Sequence, residues 1–420
     1  MGKLEKYSSY KDSGVEWLGE IPKGWEVKKI KFVSLITMGQ SPENKDVNQN
    51  KTGLPFLQGN AEFGSLNPTE KNWCIHPKKV AFKDEILYSV RAPVGAVNIA
   101  DKEYCIGRGL CSIRDIKIQK KYLYYSSILF KQEFDKFSTG STFEAISTFN
   151  IKNIKIPLPL PLEQTKIASF LDEKTAQIDE VISQKQKLIE LLKERKQIVI
   201  NDAVTKGLDK DVEMMDSGVE WIGKIPKLWK ISKVKNIFKL IIEPAPKANE
   251  EELLSIYTDI GVRPRKELAE KGNKASTTDG YWRVKKGDFI VNKLLAWMGA
   301  IGLSEYEGVT SPAYDILRAK KDIVGIYYHE LFRLKVFSQE MKKYSRGIMD
   351  MRLRLYFDKF GDILIPYPLY DEQLKIVEYI ETQTKKIDIA IKLQQNYISK
   401  LKEYKASLID SVVTGKVKVS

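Results

Sequence analysis

The sequence predicts an α+β protein: two globular domains at opposite ends of a long antiparallel two-helix coiled coil, related by an internal pseudo-two-fold repeat. Three observations lead there. One block of residues near the start returns 204 positions later, and a second block returns 209 positions later. Each copy of the second block opens a stretch, 163–204 and 372–413, that contains neither Pro nor Gly.

The first block runs from Asp12 to Trp25 and returns as Asp216 to Trp229; thirteen of the twenty positions from Asp12 to Lys31 are identical. The second is Ile156-Pro157-Leu158-Pro159-Leu160 followed by Glu163-Gln164, matched by Ile365-Pro366-Tyr367-Pro368-Leu369 followed by Glu372-Gln373. It runs on to Val204-Thr205 and Val413-Thr414. Between the blocks the copies diverge. A faint echo persists at offset 204, with Lys83-Asp84-Glu85-Ile86 against Gly287-Asp288-Phe289-Ile290, Gly95-Ala96 against Gly299-Ala300, and Arg114 against Arg318. Alike ends with unlike middles suggest a shared scaffold carrying two different recognition surfaces. Duplicated enzymes would need the same catalytic residues in both copies, and no such set is found.

Residues 20–160 and 224–369 are rich in Gly, Pro, aromatic and β-branched residues in short runs, such as Glu85 to Val90 and Asp288 to Val291. They read as compact domains of short strands and a few helices, with helices expected over Tyr122 to Lys136 and Val324 to Lys343. A Pro-rich segment stops each domain just before a long helix, and Glu-Gln in the first turn complements the helix dipole. One heptad frame fits both long helices. Its d positions hold Leu171, Ile178, Lys185, Leu192 and Val199, then Ile380, Ile387, Gln394, Leu401 and Leu408. Its a positions hold Thr175, Ile182, Ile189 and Lys196, then Thr384, Ile391, Ile398 and Lys405. Each helix would be about 60 Å long, the dimension of a rigid spacer. Lys185 and Gln394 fall near mid-helix, where a polar core residue either fixes register or, for Lys185, snorkels to water. Leu4 to Lys11 corresponds to Leu208 to Met215, and the second helix ends at Thr414-Gly415, so the two ends should meet beside the first domain.

Sixty-nine basic against 55 acidic residues leave a net charge of +14, which favours a polyanionic partner, nucleic acid first. A lysine-rich genome is the bland alternative. A hydrophobic fraction of 43% excludes wholesale disorder. No run approaches the ~18 apolar residues of a membrane span, residues 1–14 hold no secretory signal, and three cysteines build no disulfide framework, so a cytoplasmic location without membrane contact is expected. Two histidines leave little for a metal site or a histidine acid–base centre. Neither an Asn/Asp-Pro-Pro-Tyr/Phe methyltransferase signature nor a nucleotide-binding glycine loop occurs; Thr414-Gly415-Lys416 lacks the upstream Gly and the following Ser/Thr of a phosphate loop. Glu194-Arg195-Lys196 and Glu403-Tyr404-Lys405 imitate a nuclease Glu-x-Lys, but they sit at matched heptad positions with no upstream Asp, and the solvated-helix reading wins. Cys74-Ile75-His76 has no second ligand pair at zinc spacing.

This layout resembles the specificity subunit of type I restriction–modification systems. The resemblance rests on Trp-x-Gly-x-Ile-Pro-x-x-Trp, at Trp17 to Trp25 and Trp221 to Trp229, and on Ile-Pro-x-Pro…Glu-Gln opening a long helix, at Ile156 to Gln164 and Ile365 to Gln373. It implies two target recognition domains, each reading one half of a bipartite asymmetric site in double-stranded DNA. It also implies helices that set the spacing and dock two methyltransferase subunits, with restriction subunits in the full complex. No catalytic site and no cofactor are expected on this chain; S-adenosylmethionine, ATP and Mg2+ belong to the partner subunits. The expected division is 1–160 for the first recognition domain, 161–206 for the first helix, and 207–223 for a linker with the repeated Trp element. The second recognition domain follows at 224–369 and the second helix with its tail at 370–420.

Base reading in the major groove needs Arg, Lys, Asn or Gln on loops, with other basic groups gripping phosphate. Candidates in the first domain are Lys78, Lys79 and Lys83 on a turn, Arg91 at a loop start, and Ser141 and Thr142 in the polar loop Ser138 to Phe143. In the second they are Lys293 and the run holding Arg346, Arg352 and Arg354, with Arg352 and Arg354 suited to guanine. Ordinary surface salt bridging competes at each of these residues. Trp17, Trp25, Trp221 and Trp229 are the same in both copies, which argues for packing rather than sequence readout. The competing function is a structural or regulatory coiled-coil protein that binds DNA without sequence preference.

Overall fold

A computed structural model describes residues 5–135, 145–267, 278–347 and 353–419. The chain forms two compact units, Met1–Lys185 with Asn396–Ser420, and Gln186–Gln395.

The first unit opens with a hairpin of Tyr10–Asp12 and Glu20–Pro22. Its turn is closed by local chemistry: Asp12 Oδ1 accepts from the Gly14 N–H at 2.9 Å, and Gly14 and Gly19 take positive φ. A four-stranded antiparallel sheet follows, in the order Val97–Ile99, Ile86–Ser89, Leu110–Asp115, Ser34–Met38. Beside it stands a five-stranded mixed sheet, in the order Val47–Asn48, Asn72–Cys74, Leu54–Leu57, Tyr104–Ile106, Val80–Ala81. The helix Lys120–Asp135 buries Tyr122, Leu123, Leu129 and Phe130 against the four-stranded sheet through Tyr88 and Ile113.

The second unit repeats the frame. Its hairpin pairs Met214–Asp216 with Lys224–Pro226, so the stretch expected as a linker contains folded structure. Its four-stranded sheet runs Phe238–Ile241, Tyr314–Ala319, Phe289–Asn292, Ile301–Leu303, the same order as in the first unit read from the other edge. Where the first unit has five strands, the second has two ribbons, Leu254–Tyr257 with Gly261–Pro264 and Trp282–Val284 with Gly308–Thr310.

Two expectations need correction. The helix expected over Val324 to Lys343 is two helices, Gly325–Phe332 and Lys335–Tyr344. Arg333 donates to the carbonyls of Gly299, Ile301, Thr258 and Asp259, and the extended Leu334 turns into the core at 3% exposure. The echo around Asp84 is also one residue out of register. Asp84 and Gly287 both take positive φ, which makes the corner offset 203. The acids that follow, Glu85 and Asp288, are buried; each accepts the main-chain N–H three residues back, from Phe82 and Lys285. Each also accepts a guanidinium, from Arg114 and Arg318. The corner needs a positive-φ residue followed by an acid, and Asp84 itself plays the part of Gly287.

The long helices are Pro161–Lys206 and Tyr370–Val413. In the first unit Leu171, Thr175 and Ile178 are buried and Ile182 half-buried, facing buried Ile398 and Leu408 and half-buried Leu401. Their segments run in opposite directions: Lys405 Nζ bonds Asp179 at 2.6 Å, and Lys185 Nζ lies 4.7 Å over the Tyr397 ring. In the second unit Ile189 and Ile380 are buried, and Leu192, Lys196, Val199, Ile387 and Ile391 half-buried. There Lys196 Nζ bonds Asp388 at 2.7 Å, the counterpart at offset 209 of the Asp179–Lys405 pair. Gly207 and Gly415 end the helices with positive φ. Lys418 N donates to the Glu5 carbonyl at 2.7 Å and Tyr10 Oη to the Lys416 carbonyl, bringing these distant segments together as expected.

Candidate nucleic-acid interface

Each unit presents its loops from a frame fastened to its helix segments by the repeated residues. Gln164, 3% exposed, accepts from the Gln119 N–H at 2.8 Å and donates to the Pro159 carbonyl. Gln373, 1% exposed, does the same with the Val324 N–H and the Pro368 carbonyl. Two buried tyrosines complete the joint: Tyr122 Oη donates to the Pro157 and Val413 carbonyls, Tyr327 Oη to the Val204 carbonyl. Trp25 is buried, donates to Glu163 at 2.9 Å and packs with Pro22 beside Gly415. Tyr7 Oη also donates to Glu163, and burial followed by that bond pushes the Tyr7 hydroxyl pKa well up. Trp229 is buried beside Gly207, and Trp221 donates to the Leu364 carbonyl with its ring on Phe337. These rings are packing elements, not open stacking platforms. The glutamines escaped the sequence reading as joints; their recurrence at offset 209 was the available signal.

Lys78 and Lys79 are exposed on the turn between Asn72–Cys74 and Val80–Ala81, and Lys83 is exposed beside the Asp84 corner. Arg91 is exposed at the end of the central strand Ile86–Ser89, its main chain bridged to Ala145. The Ser89 hydroxyl stands 3.0 Å from both the Arg91 and Pro93 carbonyls. No described residue pairs with the Arg91 guanidinium. Ser141 and Thr142 lie outside the described residues, as does Arg352. Lys293 is 20% exposed and committed internally, to the Pro312 carbonyl at 3.0 Å and Asp315 at 3.4 Å. Burial raises the Asp315 carboxyl pKa, and Lys293 opposes that shift. Arg346 and Arg354 exchange main-chain hydrogen bonds at 2.9 Å; the Arg346 guanidinium reaches Asp358 at 3.3 Å and Arg354 is exposed.

One pair of main-chain bonds relates the two sets. Ile146 N donates to Val90 O at 2.7 Å, and Leu355 N donates to Lys293 O at 2.8 Å. The structure thus gathers Arg91 with the 145–146 segment in one unit, and Lys293 with Arg346 and Arg354 in the other, at equivalent corners of the frame. Lys78 and Lys79 belong instead to the five-stranded sheet.

Among the described residues no group of three or more His, Cys, Asp and Glu is placed to hold a metal ion, and no helix is long and apolar enough to cross a membrane. Cys74, Cys105 and Cys111 are buried, and burial pushes the Cys105 thiol up to about 12.

Residues 22–191 match the family of type I restriction modification DNA specificity domains. A Methanocaldococcus jannaschii protein provisionally named the MjaX type I restriction enzyme specificity subunit is 38% identical over 48% of this chain and 46% of its own length. The MjaIX specificity subunit of the same organism is 30% identical over 60% of this chain and 59% of its own length. The matches therefore span about half the length of these two relatives. The EcoBI specificity subunit of Escherichia coli is 20% identical over 97% of this chain and 89% of its own. Among solved structures, the HsdS subunit of Thermoanaerobacter tengcongensis shares the fold with a TM-score of 0.54 at 15% identity, covering 94% of this chain and 98% of that one. A chain from a study of type I R-M complex assembly and conformational transition does so with a TM-score of 0.67 at 15% identity, with the same coverage. Joined to the duplicated Trp and Glu-Gln elements and the repeated α+β frame, these likenesses make type I restriction–modification specificity subunits the proteins to which this chain is similar in sequence and fold.

Proposed function

We propose that this chain is the non-catalytic DNA-recognition subunit of a type I restriction–modification complex. Each unit reads one half of a bipartite, asymmetric site in double-stranded DNA. The observation that carries this reading is one four-stranded frame, repeated in strand order, that presents different cationic residues at the same corner. A common frame with unlike loops is what two unlike half-sites require, because base choice lies in side chains at loop tips while the frame only positions them. In this reading Lys78, Lys79, Arg91, Ser141 and Thr142 serve one half-site, and Arg346, Arg352 and Arg354 the other, while Lys293 braces its corner through Pro312 and Asp315 instead of reaching DNA.

The two long helices pair antiparallel as a coiled-coil spacer between recognition domains and dock two methyltransferase subunits. Exposed apolar residues on their outer faces, among them Leu188, Leu191, Ile198, Ile389 and Leu393, supply contact area for that docking. Restriction subunits complete the complex in the cytoplasm, and S-adenosylmethionine, ATP and Mg2+ act on the partners. Half-site centres about one helical turn apart (~10 bp) let both domains approach one face of the duplex.

The test is co-expression with the cognate methyltransferase subunit and mapping of methylated adenines over the host genome. The expected result is a two-part, non-palindromic motif in which exchange of residues 224–365 for those of a relative changes one half and spares the other. DNA binding without sequence preference, falling steeply with salt, would instead support the structural coiled-coil reading.

A further inference from the structure

Four chain segments of the first unit converge at one point where its two sheets meet. Gly39 N donates to Leu110 O at 2.9 Å, Gln40 N to Ile106 O at 2.9 Å, Gly107 N to Leu57 O at 2.8 Å, and Val90 N to Gly109 O at 2.9 Å. The crossing tolerates no side chains. A Cβ on Gly39 would lie 2.2 Å from the Gly107 carbonyl oxygen, and one on Gly109 would lie 2.5 Å from the Gln58 carbonyl oxygen. At its apex stands Arg108, exposed between two buried glycines. Its main-chain N–H donates to Ser41 Oγ at 3.3 Å, and the same Oγ contacts the exposed Gln58 carboxamide at 3.1 Å. No carboxylate among the described residues answers the Arg108 guanidinium, whereas Arg114, Arg283 and Arg318 are each committed to one.

We infer that Arg108 is a base-reading residue of the first half-site, directed at a guanine, with Gln58 beside it as a second reader. This rests on the DNA-recognition role proposed above. The chemistry separates base reading from phosphate gripping. Phosphate contacts are served by flexible lysines, but a bidentate contact to guanine O6 and N7 needs a guanidinium held at fixed position and orientation. The glycine-locked turn fixes the main chain from which Arg108 projects, and the Gln58 carboxamide beside it completes a suitable pair of reading groups.

The second unit has the same turn with other contents. Leu110 N donates to Gly107 O at 3.0 Å, and at offset 204 Tyr314 N donates to Ser311 O at 2.9 Å. There Ser311-Pro312-Ala313 replaces Gly107-Arg108-Gly109. Pro312 offers no donor, and its carbonyl is taken by Lys293. A guanine contact from this turn is therefore confined to the first unit.

The experiment compares the full chain with Arg108→Ala and Arg108→Lys, each co-expressed with the methyltransferase subunit, by mapping methylated adenines. Both variants are expected to lose the preference for one guanine in one half of the motif, by roughly tenfold to a hundredfold. The other half stays unchanged and serves as the internal control for folding. An unaltered motif with Arg108→Ala overturns the inference. So does recovery of wild-type behaviour with Arg108→Lys, because a point charge suffices for phosphate but not for bidentate pairing. If the wild-type complex yields no two-part motif, the recognition role itself fails and the inference falls with it.

Discussion

His329 shows how a single buried residue ties the second unit to pH. Its Nδ1 accepts the Leu303 N–H at 3.1 Å, and a Cβ on Gly302 would touch the ring at 3.1 Å, so that strand residue has to be glycine or move. Burial, with the Arg333 charge second, lowers its pKa from 6.5 to about 4. The unfolded chain therefore takes up a proton below about 6.5 that the folded chain refuses. Stability is fully present above the unfolded value, falls as pH drops from 6.5 and levels off below about 4, with a total loss of up to about 3 kcal/mol. His329→Gln keeps an acceptor for Leu303 N without the titration. Urea midpoints of the second unit's transition should fall less in this variant than in wild type between about pH 7 and pH 4.5. An equal fall in both would mean that other groups carry the acid sensitivity. No pattern in the sequence marks His329 for this role, because its acceptor function depends on a strand 26 residues away.

At the scale of elements, the long helices are where sequence and structure lie closest. A seven-residue period is a local property, and the a and d positions from 171 to 199 and from 380 to 408 are all buried or half-buried. Even the two a-position lysines are answered locally, by Asp388 and Asp179 one position beyond a d residue of the opposing segment. These partly exposed pairs contribute at most about 1 kcal/mol each, so the apolar seam carries the stability. Ile178→Ala, at 6% exposure, should destabilise the first unit by about 2–5 kcal/mol. Ile389→Ala, at 60% exposure, should change stability by less than about 0.5 kcal/mol. Chemical denaturation distinguishes the two, and similar losses would contradict the seam. The helix break at Arg333–Leu334 was illegible for the opposite reason. No Pro or Gly marks it; it depends on carbonyls at 258–259 and 299–301 that only the folded chain brings to Arg333.

At the scale of the whole chain, the duplication was legible because its joints are spelled in the same letters twice. The proposed reading surface was not, because the frame leaves loop residues free to differ. Arg108 illustrates this: nothing in Gly107-Arg108-Gly109 signals a crossing of four segments until the sheets are assembled. The duplication has a consequence for connectivity. Residues 208–215 occupy in the repeat the place of residues 4–11, and Lys418 already bonds Glu5 main chain to main chain at 2.7 Å. Asp209, Lys210 and Asp211 are exposed, so opening the chain there breaks no buried contact. A permutant that joins residue 419 to residue 5 through a short Gly-Ser linker and opens between Asp209 and Lys210 should fold, melting within about 4 °C of wild type. On the proposed function it should also direct the same methylation motif. Opening instead between Lys187 and Leu188, inside the helix Pro161–Lys206, should lower the melting temperature far more. Equal damage from both cuts would show that continuity at 207–213 matters as much as the helix itself, and that the two ends are not interchangeable with the linker they resemble.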